Sequence, residues 1–248
     1  MGPFKWGKGI DTSSYAKTQF KIFSPFSYEK TYYIPVPGQE YLRARSVEGI
    51  WQGLKVINGS CDYSLLERKP KKRRGKPEGH AFGNQLLDYV SARKEIYVPA
   101  YTYHVIHNAL PKCSKQLEEL AEEGTVYFCD VENNPNIENT KSPLAHSAVL
   151  VNILNAIFES PIPPFNKTQF QYLQEQVESA VEYREKLDDN LKQYFDEVIT
   201  FAYLFSLSEL EQTFALRFIK EADIQGDRLL RYLPTDATRE PYENCFKR

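Results

Sequence analysis

Apolar and polar positions separate most cleanly between residues 46 and 59. Val47, Ile50, Leu54 and Ile57 recur at helical spacing, so at about 100° per residue they share one face. Glu48, Trp51, Gln52 and Lys55 form a stripe on the other side, with Gly49 and Gly53 between the two faces. The spacing predicts a helix over 47–57, capped by Ser46 and ended by Asn58-Gly59. The two glycines would let a neighbouring backbone approach closely.

Elsewhere the pattern predicts a mixed chain. Residues 1–45 read as extended and turn-rich, with Phe20-Lys21-Ile22-Phe23 as a strand and Ile34-Pro35-Val36-Pro37 excluded from helix. A helix is expected over 81–95, an edge strand or extended segment over Ile96–Tyr103 interrupted by Pro99, and a short helix from Ser114 to Glu123 stopped by Gly124. Thr125 to Val131 is the clearest strand, Asn133-Asn134-Pro135-Asn136 a turn, and Pro143 to Phe158 a buried helix. After a boundary at Ser160–Pro164, Phe170, Leu173, Val177, Ala180 and Val181 recur at helical spacing. Helices are expected near 167–188, 190–206 and 208–222, the first and last opened by capping boxes (Asn166 with Gln169, Ser208 with Glu211). The fold class is therefore α+β, a small sheet flanked by helices over 1–159, followed by an all-helical region over 165–233 and a frayed tail over 234–248.

Composition narrows the class. A chain of 248 residues, 42% hydrophobic and 26% charged, can bury a sizeable core. Its four cysteines have no C-x-x-C spacing, which favours free thiols in a reducing compartment. No apolar run approaches the roughly 18 residues that would cross a membrane, and Met1–Trp6 has no signal-peptide apolar region. The expectation is a cytoplasmic protein with no membrane contact. Seventeen Tyr and fifteen Phe make ring-lined pockets easy to build, and an ordinary Tyr-rich core equally so.

The polar stripe is the first candidate for chemistry. A lysine amine attacks only when desolvation or a cationic neighbour lowers its pKa from about 10.4, and a glutamic acid moves protons when burial raises its own. On a continuous helix Glu48 and Lys55 stand about 10.5 Å apart along the axis, so they would meet through a ligand lying along the stripe. Trp51 offers a stacking face and Gln52 an amide to read a base or ribose edge. Helix electrostatics alone gives the same charges, since acids favour the first turn and bases the last.

Three further groups have two readings each. Arg68 to Lys76 holds seven basic residues in nine, either a mobile solvated loop or a site for phosphates or nucleic acid. Within it Arg74 and Lys76 are the candidate phosphate contacts. Asp130, at the end of the clearest strand, is placed either to support a ribose or to close an Asx-turn. His104 and His107, with Tyr101 and Tyr103, form a polar-aromatic patch. H-x-x-H without a third ligand points to structural histidines, as do His80 and His146, so no metal is predicted. Tyr101 joins the candidate pocket residues. Walker and Rossmann glycine loops are absent, and no cofactor is expected.

The segment Val47-Glu48-x-x-Trp51-Gln52-x-x-Lys55 resembles the core motif of the NADAR family, an N-glycosidase fold associated with NAD and ADP-ribose metabolism. Phe23-Ser24-Pro25-Phe26 is similar to that family's F-S-N-F. The resemblance covers residues from about 15 to 157. It departs at Gly49, where the family carries His, and it lacks a Trp-Gly element and the terminal N-x-L-G-x-x-L-M block. The resemblance implies hydrolysis of an N-glycosidic bond to a ribosyl or ADP-ribosyl group. It also implies Lys55 as the attacking amine, through a Schiff-base-type intermediate, and Glu48 as its proton-transfer partner. Phe23, Ser24, Trp51 and Gln52 would line the pocket of a nucleotide or ADP-ribose-type ligand. The alternative is a non-enzymatic adaptor that binds nucleic acid through residues 68–76 and a protein through its C-terminal helices.

Overall fold

The computed structural model describes residues 9–39, 41–158, 173–205 and 209–224. Both expected capping boxes, the Ser160–Pro164 boundary, the N-terminal hexapeptide and the tail fall outside these residues. The chain is mixed α+β, with small sheets flanked by helices. It forms two compact units, Met1–Val151 and Asn152–Arg248. The division falls inside a helix, eight residues or more before the boundary that Pro161, Pro163 and Pro164 suggest. Asn152, the first residue of the second unit, hydrogen-bonds Tyr194 within that unit.

Among its described residues the first unit carries three small sheets. Strand β1 (Ile10–Asp11) pairs in parallel with β7 (Phe128–Cys129), and β2 (Ile34–Pro35) runs antiparallel to β3 (Arg43–Ala44). Strands β4 (Lys55–Val56), β5 (Gly79–Phe82) and β6 (Gln85–Leu87) form an antiparallel meander that sets Lys55 opposite His80. Helix α1 covers Val47–Gly53 and α2 covers Ser64–Glu67. Ser46 caps α1 by accepting from the Gly49 N–H, and Val47, Ile50, Leu54 and Ile57 are all buried.

Several expected elements are corrected. Helix α1 stops at Gly53, four residues early, because the chain turns into β4 and exchanges the helical ladder for pairing with β5. Lys55 therefore stands on a strand. Phe20–Phe23 lies in a 3₁₀ helix (Gln19–Phe23) that buries both phenylalanines. The 81–95 helix begins only at Tyr89, because Gly83, at φ 56°, closes a hairpin and Asp88 caps the helix after it. The expected strand Ile96–Tyr103 is helical. Helices α3 (Tyr89–Ala92), α4 (Val98–His104) and α5 (Leu110–Glu122) are joined by wide π turns at Arg93–Tyr97 and Val105–Ala109. Each π turn hands over just before a proline, Pro99 or Pro111, where the missing N–H is tolerated. The strand over 125–131 shrinks to Phe128–Cys129, the stretch in register with β1.

Glycine at 49 has a direct packing cause. A Cβ there would lie 2.8 Å from the Leu65 carbonyl oxygen and 2.9 Å from the Ser46 hydroxyl. Gly49→Ala gains about 1 kcal/mol of helix propensity but displaces both the α2 backbone and the cap. The expected net result is a loss of about 1–2 kcal/mol, read as a lower midpoint in urea unfolding.

Helix α6 (His146–Phe158) leads into the second unit, which contains α7 (Leu173–Glu185), α8 (Asp189–Phe205) and α9 (Glu209–Glu221). Val177, Phe195, Ile199, Phe214 and Phe218 form its core, and Arg184 grips Asp196 through two hydrogen bonds of 2.7 and 3.0 Å. No helix among the described residues is long and apolar enough to cross a membrane.

Candidate active site

A cavity of about 240 Å³ opens in the first unit, and α1 forms one wall of it. Glu48, Trp51, Gln52 and Lys55 all line it, as do Ser24, Pro25, Phe26 and Asp130. Local structure explains how each arrives. The Glu48 N–H donates to the Pro25 carbonyl (2.9 Å), which fastens α1 to the Ser24–Phe26 turn. Lys55, two residues past the helix end, is held by its register with His80.

Gln52 links the two ionisable groups. Its Oε1 accepts from Lys55 Nζ and from the Arg73 backbone N–H, each at 3.0 Å. Two donors on one oxygen fix the orientation of the amide, so Nε2 must be the group that donates to Glu48 Oε1, at 2.7 Å. The result is a continuous chain from carboxyl to amine. Glu48 is buried and Lys55 half-buried. Burial pushes the Glu48 carboxyl up, opposed by the Gln52 hydrogen bond and by Lys55 and Lys72. Burial pushes the Lys55 amine down, helped by Lys72 and Arg73 and opposed by Glu48. The two groups are thus driven toward each other from opposite ends of the scale, as acid–base pairs require.

An aromatic wall stands behind this chain. The Trp51 ring lies 3.9 Å from the His80 ring, 5.8 Å from Tyr89 and 5.7 Å from Tyr97, centroid to centroid. His80 is buried and has no well-formed ring hydrogen bond; burial and Lys55 lower its pKa to about 3. It is a neutral packing partner for Trp51.

The opposite wall carries Asp130 and His146. Asp130 Oδ2 lies 2.5 Å from His146 Nδ1 and also accepts the His146 backbone N–H at 3.1 Å. His146 Nε2 faces the Thr12 carbonyl at 2.9 Å, which can only accept, so that nitrogen carries a proton. Val131 N–H occupies Asp130 Oδ1 at 2.6 Å, so the carboxyl is rigidly oriented at the cavity edge.

Four sequence-predicted residues lie elsewhere. The Phe23 ring belongs to the core, and only its carbonyl is engaged, accepting from Tyr101 OH at 2.6 Å. Tyr101 is itself fully buried and stands behind the cavity wall, stacked on Tyr97 at 5.9 Å and edge-on to His146 at 6.0 Å. Arg74 and Lys76 are exposed and off the cavity wall, because Gly75 packs on Ile57 and carries the chain across β4. Lys72 takes the position expected of them. The basic segment is also less free than a solvated loop. Arg73 is tied by its backbone to Gln52 and by its guanidinium to the carbonyls of Lys55 and Ser60.

Sequence reading missed Tyr89, Arg93 and Tyr97, which also line the cavity. They recur every four residues, a stripe that would drift around a regular α-helix and that the π turn at Arg93–Tyr97 keeps in line. Arg93 is a structural member of the wall. Its guanidinium donates to the carbonyls of Ile137 (2.7 Å), Asn139 (2.8 Å) and Ser142 (2.8 Å) and lies 4.4 Å from the Tyr89 ring centre. Arg93→Ala removes three hydrogen bonds at once, leaving the 137–142 loop held on this side by Asn134 Nδ2, which also donates to the Asn139 and Ser142 carbonyls. A loss of about 3 kcal/mol is expected, measured as a fall in the unfolding midpoint, with weaker ligand binding in whatever protein stays folded.

Residues 5–150, more than half of the chain, match a protein-family model described as Family of unknown function (DUF6939). The chain belongs to this family. Nearly all of the first unit, and every residue of the cavity, lies inside the matched span. No curated protein and no solved structure matches the chain.

Proposed function

We propose that this member of the DUF6939 family is a cytoplasmic N-glycosidase that cleaves a ribosyl or ADP-ribosyl N-glycosidic bond. The observation that carries the reading is the Glu48–Gln52–Lys55 chain on the cavity wall. Lys55 Nζ attacks the anomeric carbon, and the C–N bond breaks with its electron pair leaving on the base. Glu48, whose carboxyl burial pushes up, supplies the proton that the departing base needs. Loss of the amine proton and opening of the sugar ring give an imine on Lys55, which water hydrolyses to free the sugar and restore the amine. Trp51 offers a face for the leaving base, Asp130 an acceptor for ribose hydroxyls, and Lys72 a cation for a phosphate. The cavity volume suits a ribosyl unit, with the rest of a dinucleotide lying outside. The motif resemblance to the NADAR family adds support from the same residues.

The test is a panel of N-ribosyl conjugates, including ADP-ribose on guanine, followed by chromatography of free base and sugar. Release by the wild-type protein and none by Lys55→Ala is the expected result. Absence of both cleavage and saturable binding across the panel would remove the reading.

One observation favours a second reading. Lys69, Lys71, Lys72, Arg74 and Lys76 are all exposed, which suits contact with a polyanion. A nucleic-acid adaptor would bind with steep salt dependence, lost on neutralising residues 68–76, and would cleave nothing.

A further inference from the structure

The basic segment bears on the chemistry of Lys55 and not only on phosphate contact. Gln52 Oε1 receives both the Lys55 amine and the Arg73 N–H. The Arg73 guanidinium folds back onto the carbonyl of Lys55 itself and onto that of Ser60. Its neighbour Lys72 projects into the same cavity as the amine. The Arg73 guanidinium is therefore held at the Lys55 strand by hydrogen bonds to residues 55 and 60, and Lys72, next in sequence, lines the same cavity as the amine.

We propose that Lys72 and Arg73 are positioning residues that activate Lys55, their fixed positive charges disfavouring its ammonium form so that the amine is free to attack. Repulsion from a neighbouring cation is a recognised way to prepare a lysine nucleophile, and here it acts alongside desolvation. Both groups depress the amine's proton affinity, in the same direction as burial. The opposing group is Glu48, which faces Lys55 from α1. His80, the cross-strand partner, stays neutral and adds no charge. Asp130, Glu132 and His146 line the far wall, and Tyr89, Arg93 and Tyr97 the helical side. Arg93 is occupied by its three carbonyls and Asp130 by His146. Lys72 and Arg73 are thus the cations placed to act on the amine directly.

The inference rests on the reading of Lys55 as the attacking amine, but it can be tested without a substrate. The full-length protein is acetylated competitively from pH 6 to 10, and peptide mass spectrometry follows Lys55 against Lys115, an exposed lysine on α5. Lys55 is expected to reach half-maximal labelling at lower pH than Lys115. At pH 8, Lys72→Met should slow Lys55 labelling about threefold and Lys72→Glu about tenfold, equivalent to half a unit and one unit of pKa. Arg73→Met should act in the same direction. Lys72 is exposed, so its variants keep the fold even if the Arg73 variant loosens the loop. A Lys55 that titrates with Lys115, or one indifferent to Lys72→Glu, would overturn the inference. Early labelling in a protein that cleaves no N-ribosyl bond would leave it standing and remove the glycosidase reading instead.

Discussion

Glu48→Gln is expected to lower turnover of an N-ribosyl substrate by about 10²- to 10⁴-fold, the range for loss of a general acid. The substitution is nearly isosteric, and the new amide oxygen can still accept from Gln52 Nε2 with the Gln52 amide left as it is. Affinity for substrate should therefore change little while kcat collapses. Lys55→Ala should remove turnover altogether, because no other lysine amine among the described residues shares the Gln52 oxygen. The pH profile adds a signature. Glu48 is raised and Lys55 lowered, so the productive form, protonated acid beside free amine, becomes a larger share of molecules near neutrality. Lys72→Glu, by raising the Lys55 amine, should move the rising limb of kcat/KM to higher pH. A profile unmoved by both Glu48→Gln and Lys72→Glu would mean that these groups are not the ones that titrate.

The second large effect is on stability in mild acid. His80, His104 and His107 are held neutral by burial, their pKa values lowered to about 3, 4 and 4 from the ordinary 6.5. His104 also spends its one proton on the Ile22 carbonyl, 2.8 Å from Nε2. The unfolded chain binds protons at these residues below pH 6.5 and the folded chain does not. Stability is therefore fully present above pH 6.5 and is lost as pH falls toward about 4. Each histidine contributes up to about 1.4 kcal/mol per pH unit inside that window, so the three together approach about 4 kcal/mol per unit. Glu48 opposes them: with its pKa raised, it stabilises the folded state as pH falls toward 4.5. Urea unfolding at pH 7 and pH 5 measures the difference. The wild type should lose several kcal/mol, Glu48→Gln somewhat more, and His107→Gln about a third less. Equal stability at the two pH values would contradict the burial argument for all three.

The sequence was most legible where one face is apolar and the opposite face is chemical. Helix α1 could be read from Val47, Ile50 and Leu54, and its stripe of Glu48, Trp51 and Gln52 reaches the cavity as that pattern implies. Its end was not legible, because the stop at Gly53 comes from β4 pairing with β5, which sets Lys55 opposite His80 and Val56 opposite Gly79, a distant partner that periodicity does not register. Prolines misled in the run from Tyr89 to Glu122. Pro99 reads as a helix breaker, yet a π turn placed just before it removes the conflict and also brings Arg93 and Tyr97 to the cavity. The basic segment was recognisable as charge but not as geometry. Whether Lys72 or Arg74 faces the site depends on Gly75 resting against Ile57, a contact between the loop and the residue that follows β4. His146 could be seen as a polar residue opening an apolar helix. Its pairing with Asp130 needed the fold to bring them together.

The central claim is that Lys55 forms a covalent bond to the sugar during cleavage. Borohydride added during turnover of an N-ribosyl substrate reduces an imine to a stable amine, and peptide mass spectrometry locates the adduct. The account predicts a mass increase of one reduced ribosyl unit on the peptide carrying Lys55, absent in Lys55→Ala and accumulating in time with base release. Base release by the wild-type protein with Lys55 left unmodified would contradict it.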